Sequence, residues 1–164
     1  MSEPLIVKLQ NRIKTLEEKA YIRVGITNSI TVSSTNDRKE FRMPFDIVRY
    51  QQGNLTYDAE NDEIVVGANI SAILVNVQLY FYNRVELNSS KVIYIRKNQN
   101  YSEKDTNGSM NARIGLAVNQ TTCEVSAVIP VQKGDRISIG VIANANDPIN
   151  NNASNTFVEA VKIA

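Results

Sequence analysis

A turn between two strand-like stretches near the end of the chain constrains its fold more than any other feature. Residues 125–131 and 136–142 are rich in β-branched side chains, and Gly134-Asp135 stands between them. Gly accepts a positive φ and Asp bonds nearby backbone, so this pair is typical of a tight turn. Residues 156–163 again combine apolar and β-branched side chains. The pattern predicts a β-hairpin followed by a last strand that closes a sheet.

The composition indicates one domain of ordinary globular character. The chain has 164 residues, of which 43% are hydrophobic and 21% charged, so it has room for one domain with a real core. The net charge of +1 provides no strong field for nucleic acid or an anionic membrane. No run of about 18 apolar residues occurs, so we expect no membrane insertion. The charged segment that follows Met1-Ser2-Glu3-Pro4 argues against a secretory signal peptide.

The scarcity of reactive side chains weighs against catalysis. Cys123 is the single cysteine, which excludes an intrachain disulfide, and we interpret it as a small apolar strand residue. The chain has no histidine, which removes the commonest general base and most zinc sites. Asp and Glu could still act as acids, bases or Ca²⁺ ligands. We therefore expect a protein without enzyme activity and without a cofactor.

Residues 1–20 carry a helical pattern. Apolar side chains recur there with spacings of 3, 4, 3 and 4, which are the a and d positions of two heptads. Two heptads are too short for a stable isolated coiled coil. Two interpretations stand: a stem that joins copies of the chain, and an amphipathic helix that packs on its own domain. We predict a stem, and Ile at a with Leu at d favours dimers. Its predicted contacts between copies are Ile6, Leu9, Ile13 and Leu16.

From Tyr21 onward the apolar pattern has a period of two. Strand-like stretches separated by turn signals predict about nine or ten strands in a β-sandwich or barrel over residues 21–164. Pro44 makes the stretch 41–48 an edge strand or a bent strand. The strongest strand is predicted at 73–82, with one core face. That core face consists of Ile73, Val75, Val77, Leu79 and Phe81.

The opposite face of the 73–82 strand mixes amide side chains with two phenols. Tyr80 and Tyr82 stand on this face together with Asn76 and Gln78. Such a surface is polar enough to meet water and apolar enough to meet another subunit. We predict that Tyr80 and Tyr82 contact other copies of the chain.

Two long polar loops are the best candidates for ligand contact. They cover residues 97–111 and 144–155, and long irregular loops in compact domains are often functional. Their amide side chains suit hydrogen bonds to sugar hydroxyls, and a Tyr ring can stack on a sugar. The alternative is a pair of solvated loops with no ligand. The candidate residues are Asn100, Tyr101, Asn107, Asn146, Asp147, Asn150 and Asn151.

Three acidic residues alternate at Asp58, Glu60 and Asp62. Oxygen ligands at this spacing could bind Ca²⁺. The full pattern of a calcium-binding loop is missing, however, so a solvated hairpin turn is the better interpretation. We predict no metal site here.

The order of these features resembles the C1q/TNF-like jelly-roll head. The resemblance covers residues 41–163 and depends on an ordered set of elements, none of which is specific alone. In that family a Pro-Phe strand, Asn/Gly and Tyr-Asp turns and an aromatic-rich strand come first. A strand, a Gly-Asp turn, a second strand, a variable loop and a Phe-containing strand follow. The matching residues here are Pro44-Phe45, Gly53-Asn54, Tyr57-Asp58, Val75–Tyr82, Val128–Val131, Gly134-Asp135, Ile137–Val141, residues 144–155 and Phe157–Ile163.

One residue departs from the family pattern. The family usually has Gly two residues after the Phe of its last strand, and this chain has Glu159 there. A carboxylate at that position should point outward or meet a partner. The resemblance implies an all-β jelly roll and a homotrimer, with the aromatic strand near the threefold axis. The heptad segment stands where a stem would be.

The resemblance favours a structural and adhesive role. We predict a trimeric, non-enzymatic virion protein of the bacteriophage head-fibre or tail-fibre type, made in the bacterial cytoplasm. Its partners would be other copies of itself, a host-surface glycan or protein, and another virion protein through the N-terminal segment. One alternative is a bacterial surface or spore-coat protein with a C1q-like head. Another is a carboxylate-dependent glycan hydrolase, which would need two acidic residues converging in a groove.

Overall fold

Two antiparallel sheets of seven and six strands pack face to face. The computed structural model describes residues 4–10, 19–32, 40–82, 91–98, 110–114, 120–142, 147–149 and 155–164. The strands in chain order are β1 (Tyr21–Gly25), β2 (Ile30–Val32), β3 (Phe41–Arg42), β4 (Ile47–Gln52), β5 (Leu55–Asp58), β6 (Glu63–Val66), β7 (Ala72–Tyr82), β8 (Lys91–Lys97), β9 (Met110–Ile114), β10 (Gln120–Pro130), β11 (Arg136–Ile142), β12 (Asp147–Ile149) and β13 (Phe157–Lys162).

The larger sheet has the strand order β2-β12-β7-β13-β1-β4, with β10 also paired to β7. The smaller sheet has the order β5-β6-β11-β8-β9, with β3 also paired to β11. Every strand pairing among the described residues is antiparallel. This arrangement is a jelly-roll sandwich, and it confirms the all-β class predicted from the alternating pattern.

The core lies between the sheets, and β7 contributes its central row. The five side chains predicted to form the core face of β7 are all at most 1% exposed. Burying a large aliphatic or aromatic side chain contributes about 1.5–3 kcal/mol relative to leaving it in water. The alternate residues Leu74, Asn76, Gln78 and Tyr80, which point away from the core, are half-buried. The strand therefore has the two faces that its sequence predicted.

The predicted hairpin at Gly134-Asp135 is wrong, although its turn and both strands are present. β10 pairs with β7 in the larger sheet, whereas β11 pairs with β3, β6 and β8 in the smaller one. The turn therefore leads from one sheet to the other. Turn residues fix the local bend, but they do not decide whether the flanking strands bond to each other. β13 completes the larger sheet from within, because it lies between β7 and β1 and pairs with both.

The described residues form thirteen strands, whereas the sequence predicted nine or ten. The additional strands are the short ones β2, β3 and β12. The stretch 41–48 divides at Pro44 into β3 and β4, which belong to different sheets. Met43 and Phe45 on either side of Pro44 are buried where the chain crosses between the sheets. β12 occupies part of the stretch 144–155 that was predicted to be a loop, and it pairs with β2. The fully buried Ile149 holds it against Phe81 of β7.

Residues 5–10 are helical, as the heptad pattern predicted, and Lys8 N–H donates to the Pro4 carbonyl at 3.1 Å. Residues 11–18 lie outside the described part of the chain. Ala20, placed at the last a position of the heptad, is buried in the core of the sandwich. Across the described residues, no helix has both the length and the apolar character needed to cross a membrane.

Candidate functional site

The side of the larger sheet that faces away from the core carries an unusual mixture of aromatic, charged and apolar groups. The strand registers align its residues in rows across β1, β13, β7 and β10. We call this surface the outer face of the larger sheet. Its residues are Tyr21, Arg23, Leu74, Asn76, Gln78, Tyr80, Glu124, Ser126, Val128, Phe157, Glu159 and Val161.

Two tyrosines and two arginines line a shallow depression at one end of this face. They are Tyr21 and Arg23 of β1 with Arg49 and Tyr50 of β4, and we call them the cationic end. The rings of Tyr21 and Tyr50 lie 5.2 Å apart at an angle of 52°. The Arg23 guanidinium lies over the Phe157 ring, 3.8 Å from its centre. The Arg23 cation is thus held against an aromatic ring, and Arg49 lines the same depression.

A register shift in the pairing of β1 with β4 explains how Arg49 enters the depression. Arg49 is an extra residue in β4, because Arg23 pairs with Tyr50 while Val24 pairs with Val48. Its guanidinium donates to the Ile26 carbonyl at 3.4 Å. The Arg49 side chain passes over Gly25, where an added methyl group would lie 3.4 Å from Nε, an ordinary van der Waals contact.

Glu159, the residue that departs from the jelly-roll pattern, is bonded on this same face. The Tyr21 hydroxyl donates to its Oε2 atom at 2.9 Å, and the Asn76 amide donates to its Oε1 atom at 3.1 Å. Burial, followed by the bond to Glu159, raises the pKa of Tyr21, so its hydroxyl remains a donor. The carboxylate therefore points outward and joins three strands of the sheet through its two bonds.

The residues predicted to contact other copies differ in how exposed they are and in whether the structure describes them. Ile6 and Leu9 are 69% and 49% exposed in the single chain, while Ile13 and Leu16 lie outside the described residues. Tyr80 is half-buried on the outer face of the larger sheet, and its N–H donates to Thr156 Oγ1 at 3.2 Å. Tyr82 ends β7, and its side chain is not among the described ones. These contacts remain predictions.

Most of the predicted ligand-contact residues lie outside the described part of the chain. This holds for Asn100, Tyr101, Asn107, Asn146, Asn150 and Asn151. Asp147 is the exception, and its assignment to a loop is wrong because it begins β12 and pairs with Val32. The Asn-rich surroundings concealed this strand, whose one strong signal is the apolar Ile149. Ligand binding by these residues remains a prediction.

Ion pairs occupy the outward side of the smaller sheet. Arg136 lies 2.7 Å from both Asp58 and Glu63, and Arg42 lies 2.9 Å from Glu63. The Arg136 side chain, followed by Asn61, lowers the pKa of Asp58 to about 2. These bonds leave the Asp58 carboxylate little capacity for a cation, which supports a solvated turn. Within the described residues, no cluster of acidic, Cys or His side chains could bind a metal ion.

A second ion pair on the smaller sheet depends on a glycine. Arg96 is 5% exposed, and its Nε donates to Glu40 Oε1 at 3.0 Å while its NH2 group bonds Glu40 Oε2. The Arg96 guanidinium also lies 4.4 Å from the centre of the Tyr94 ring. The Glu40 carboxylate rests directly on Gly140 of β11, in the space that any other side chain would fill.

The Gly134-Asp135 turn is held by the groups around it. Gly134 has φ of +91°, which explains why a residue without a Cβ stands there. The Asp135 carboxylate accepts from the Asn98 amide at 2.8 Å and from the Gln132 N–H at 3.0 Å. Burial alone would raise the pKa of Asp135, but these bonds and nearby Lys97 outweigh it and lower that pKa. The arrangement is typical of a structural turn, as the sequence indicated.

Solved structures with the same fold include murine APRIL and an insect TNF. Murine APRIL at pH 8.0 has a TM-score of 0.61 and 16% identity, over 88% of this chain and 99% of that one. Eiger TNF from S. frugiperda has a TM-score of 0.56 and 18% identity, over 89% of this chain and 92% of that one. Neither a protein-family model nor a curated protein matches the sequence. The likeness establishes a TNF-like jelly-roll fold, which the resemblance had implied.

The cationic end is the part of the site that the sequence did not predict. Alternation in residues 21–24 shows that Tyr21 and Arg23 share a face. Nothing in the sequence indicates that β4 pairs with β1, or that an extra residue turns Arg49 toward Arg23. The signal that could have drawn attention to this surface was Glu159, a charge in the middle of the otherwise apolar run 157–161.

Proposed function

We propose that this chain is a non-enzymatic jelly-roll head that forms a homotrimer through the outer face of the larger sheet. The observation that carries the proposal is the composition of that face. Tyrosines, an arginine–phenylalanine stack and half-buried apolar residues lie there between polar groups, which is the composition of a subunit interface rather than of a solvated sheet. The carboxylates of the smaller sheet, by contrast, are neutralised by arginines.

Lysine in place of Tyr80 and Tyr82 is expected to dissociate the trimer while leaving the monomer folded. Near a threefold axis, three copies of each new charge would repel one another and lose aromatic contact. Light scattering should give three times the chain mass of 18.3 kDa for the native protein, and 18.3 kDa for the variant. Thr56→Lys adds the same charge on the smaller sheet and should remain trimeric. A native protein of 18.3 kDa would contradict the proposal.

We further propose that the head belongs to a bacteriophage fibre. The helical residues 5–10 expose Leu5, Ile6 and Leu9 and precede the head, as a stem or an attachment segment would. The stretches of loop predicted within 97–111 and 144–155 would then contact a host-surface glycan or protein. The buried thiol of Cys123 fits a head whose fold depends on apolar packing rather than on disulfides.

Immunogold labelling tests the fibre assignment. An antibody raised against the purified head should label fibres of virus particles released from the cells that carry the gene. Antibody preabsorbed with the purified head is the control and should give no label. If the antibody labels the cell envelope or spore coats and leaves the virus particles unlabelled, the fibre assignment is wrong. The bacterial surface or spore-coat alternative would then hold.

A further inference from the structure

The outer face of the larger sheet has opposite charges at its two ends. At the cationic end, Arg49 is exposed and Arg23 half-buried, and neither takes part in an ion pair among the described residues. Glu159 lies near them, but its two oxygens already accept bonds from Tyr21 and Asn76. The cationic end thus has positive charge available for a further carboxylate.

The other end of the face presents such a carboxylate. Glu124 is exposed on β10, with Ser126 and the 54% exposed Val128 on the same side of that strand. We call these three residues the acidic end. The registers place Glu124 in one row with Gln78, Phe157 and Gly25, and Gly25 is the residue over which Arg49 lies. The two ends therefore stand at the same height along the strands.

Distance prevents the two ends from meeting within one chain. The strands β4, β1, β13, β7 and β10 lie side by side, and neighbouring strands are about 4.8 Å apart, so the ends are separated by roughly 19 Å. Each end also exposes an apolar group beside its charge, namely Tyr50 at 51% and Val128 at 54%. A second copy that lays its acidic end on the cationic end of the first would match both the charge and the apolar surface.

We propose that Glu124 of one copy binds between Arg23 and Arg49 of the next copy, around the ring of the trimer. This inference rests on the proposed function and specifies the residues that set its direction. Contacts of this head-to-tail kind close into a ring under threefold symmetry. The rings of Tyr21 and Tyr50 shield the ion pairs from water, and Tyr and Arg are the residues most often critical at interfaces.

Charge reversal at each end, followed by a swap, tests the pairing. Arg23→Glu with Arg49→Glu is one variant, and Glu124→Arg is the other. Each should raise the concentration at which half of the trimer dissociates by at least tenfold, because like charges then face each other. A chain carrying all three changes should return to within threefold of the native value. Analytical ultracentrifugation over a concentration series measures this.

Matched controls and thermal melts complete the experiment. Glu60→Arg and Lys133→Glu reverse exposed charges in turns away from the face and should leave dissociation unchanged. A native trimer that is insensitive to both reversals would overturn the pairing and leave the trimer standing. A native monomer would overturn the proposed function itself. A swapped chain that stays dissociated, or that fails to melt cooperatively, would also overturn the pairing.

Discussion

Replacing Gly140 with alanine is expected to lower the free energy of unfolding by about 3–5 kcal/mol, the range for breaking a buried ion pair. A methyl group at this position would overlap the Glu40 carboxylate. Glu40 would have to move away from Arg96, whose side chain is 6% exposed and has little access to water. The loss would come from the broken ion pair of the buried guanidinium rather than from β propensity, since alanine and glycine are both poor strand residues.

A double-mutant cycle separates this mechanism from simple crowding. Glu40→Ala alone should destabilise the protein by a similar amount, because it also removes the ion pair between Glu40 and Arg96. Gly140→Ala in the Glu40→Ala background should then cost under about 1 kcal/mol, since the clash has been removed. Urea unfolding followed by circular dichroism measures all four proteins. Additive losses in the double variant would mean that the methyl group acts on something other than Glu40.

Replacing Asp135 with alanine is expected to destabilise the fold by about 3 kcal/mol at pH 7, because hydrogen bonds to a charged group contribute about 1.5–3 kcal/mol each. Asp135 is 4% exposed and accepts bonds from Asn98 and Gln132 that hold the crossing between the sheets. Without the carboxylate, the Asn98 amide and the Gln132 N–H both lose this acceptor. Lys133→Ala in the same turn removes an exposed side chain and should change the stability by less than about 0.5 kcal/mol.

The contribution of the Asp135 carboxylate should also make the free energy of unfolding of the native protein depend on pH in the acid range. The pKa of Asp135 is lowered in the folded chain, whereas an unfolded Asp has a pKa of about 3.9. Such a group stabilises the fold above pH 3.9, and the contribution disappears as the pH falls toward the folded pKa. Asp58, with its pKa of about 2, acts in the same direction. Unfolding measured from pH 5 to pH 2 should show a smaller loss in Asp135→Ala; equal losses would contradict the role of Asp135.

The fold was predictable where the evidence was local. The strict alternation from Ile73 to Phe81 identified β7 and its core face, and the glycine with positive φ at position 134 identified the turn. The pairing of β10 with β7 was not predictable in the same way. It brings together residues that are 38 to 58 positions apart in sequence, from Gln120 with Tyr82 to Pro130 with Ala72. The turn after β10 has the same chemistry in a hairpin and in a crossing between sheets.

The site was predictable only in outline, because its residues come from distant parts of the chain. The sequence showed that Glu159 should point outward or meet a partner, and the structure places its carboxylate on the outer face. The donor from Tyr21 is 138 positions away, and no periodicity could have connected the two residues. The extra residue in β4 that directs Arg49 toward Arg23 is likewise a property of strand pairing. The sequence pattern of residues 47–52 alone does not contain it.

The insertion of β13 between β7 and β1 determines the order in which the molecule can be built. Until residues 157–162 have been synthesised, β1 and β7 have no shared neighbour, and each leaves a row of backbone N–H and C=O groups unpaired. Such open edges are sites of intermolecular strand pairing. Between the synthesis of Tyr82 and that of Phe157 the nascent chain therefore carries two exposed edges. The larger sheet is completed by a non-local pairing of the kind that makes β-sandwiches slow to fold.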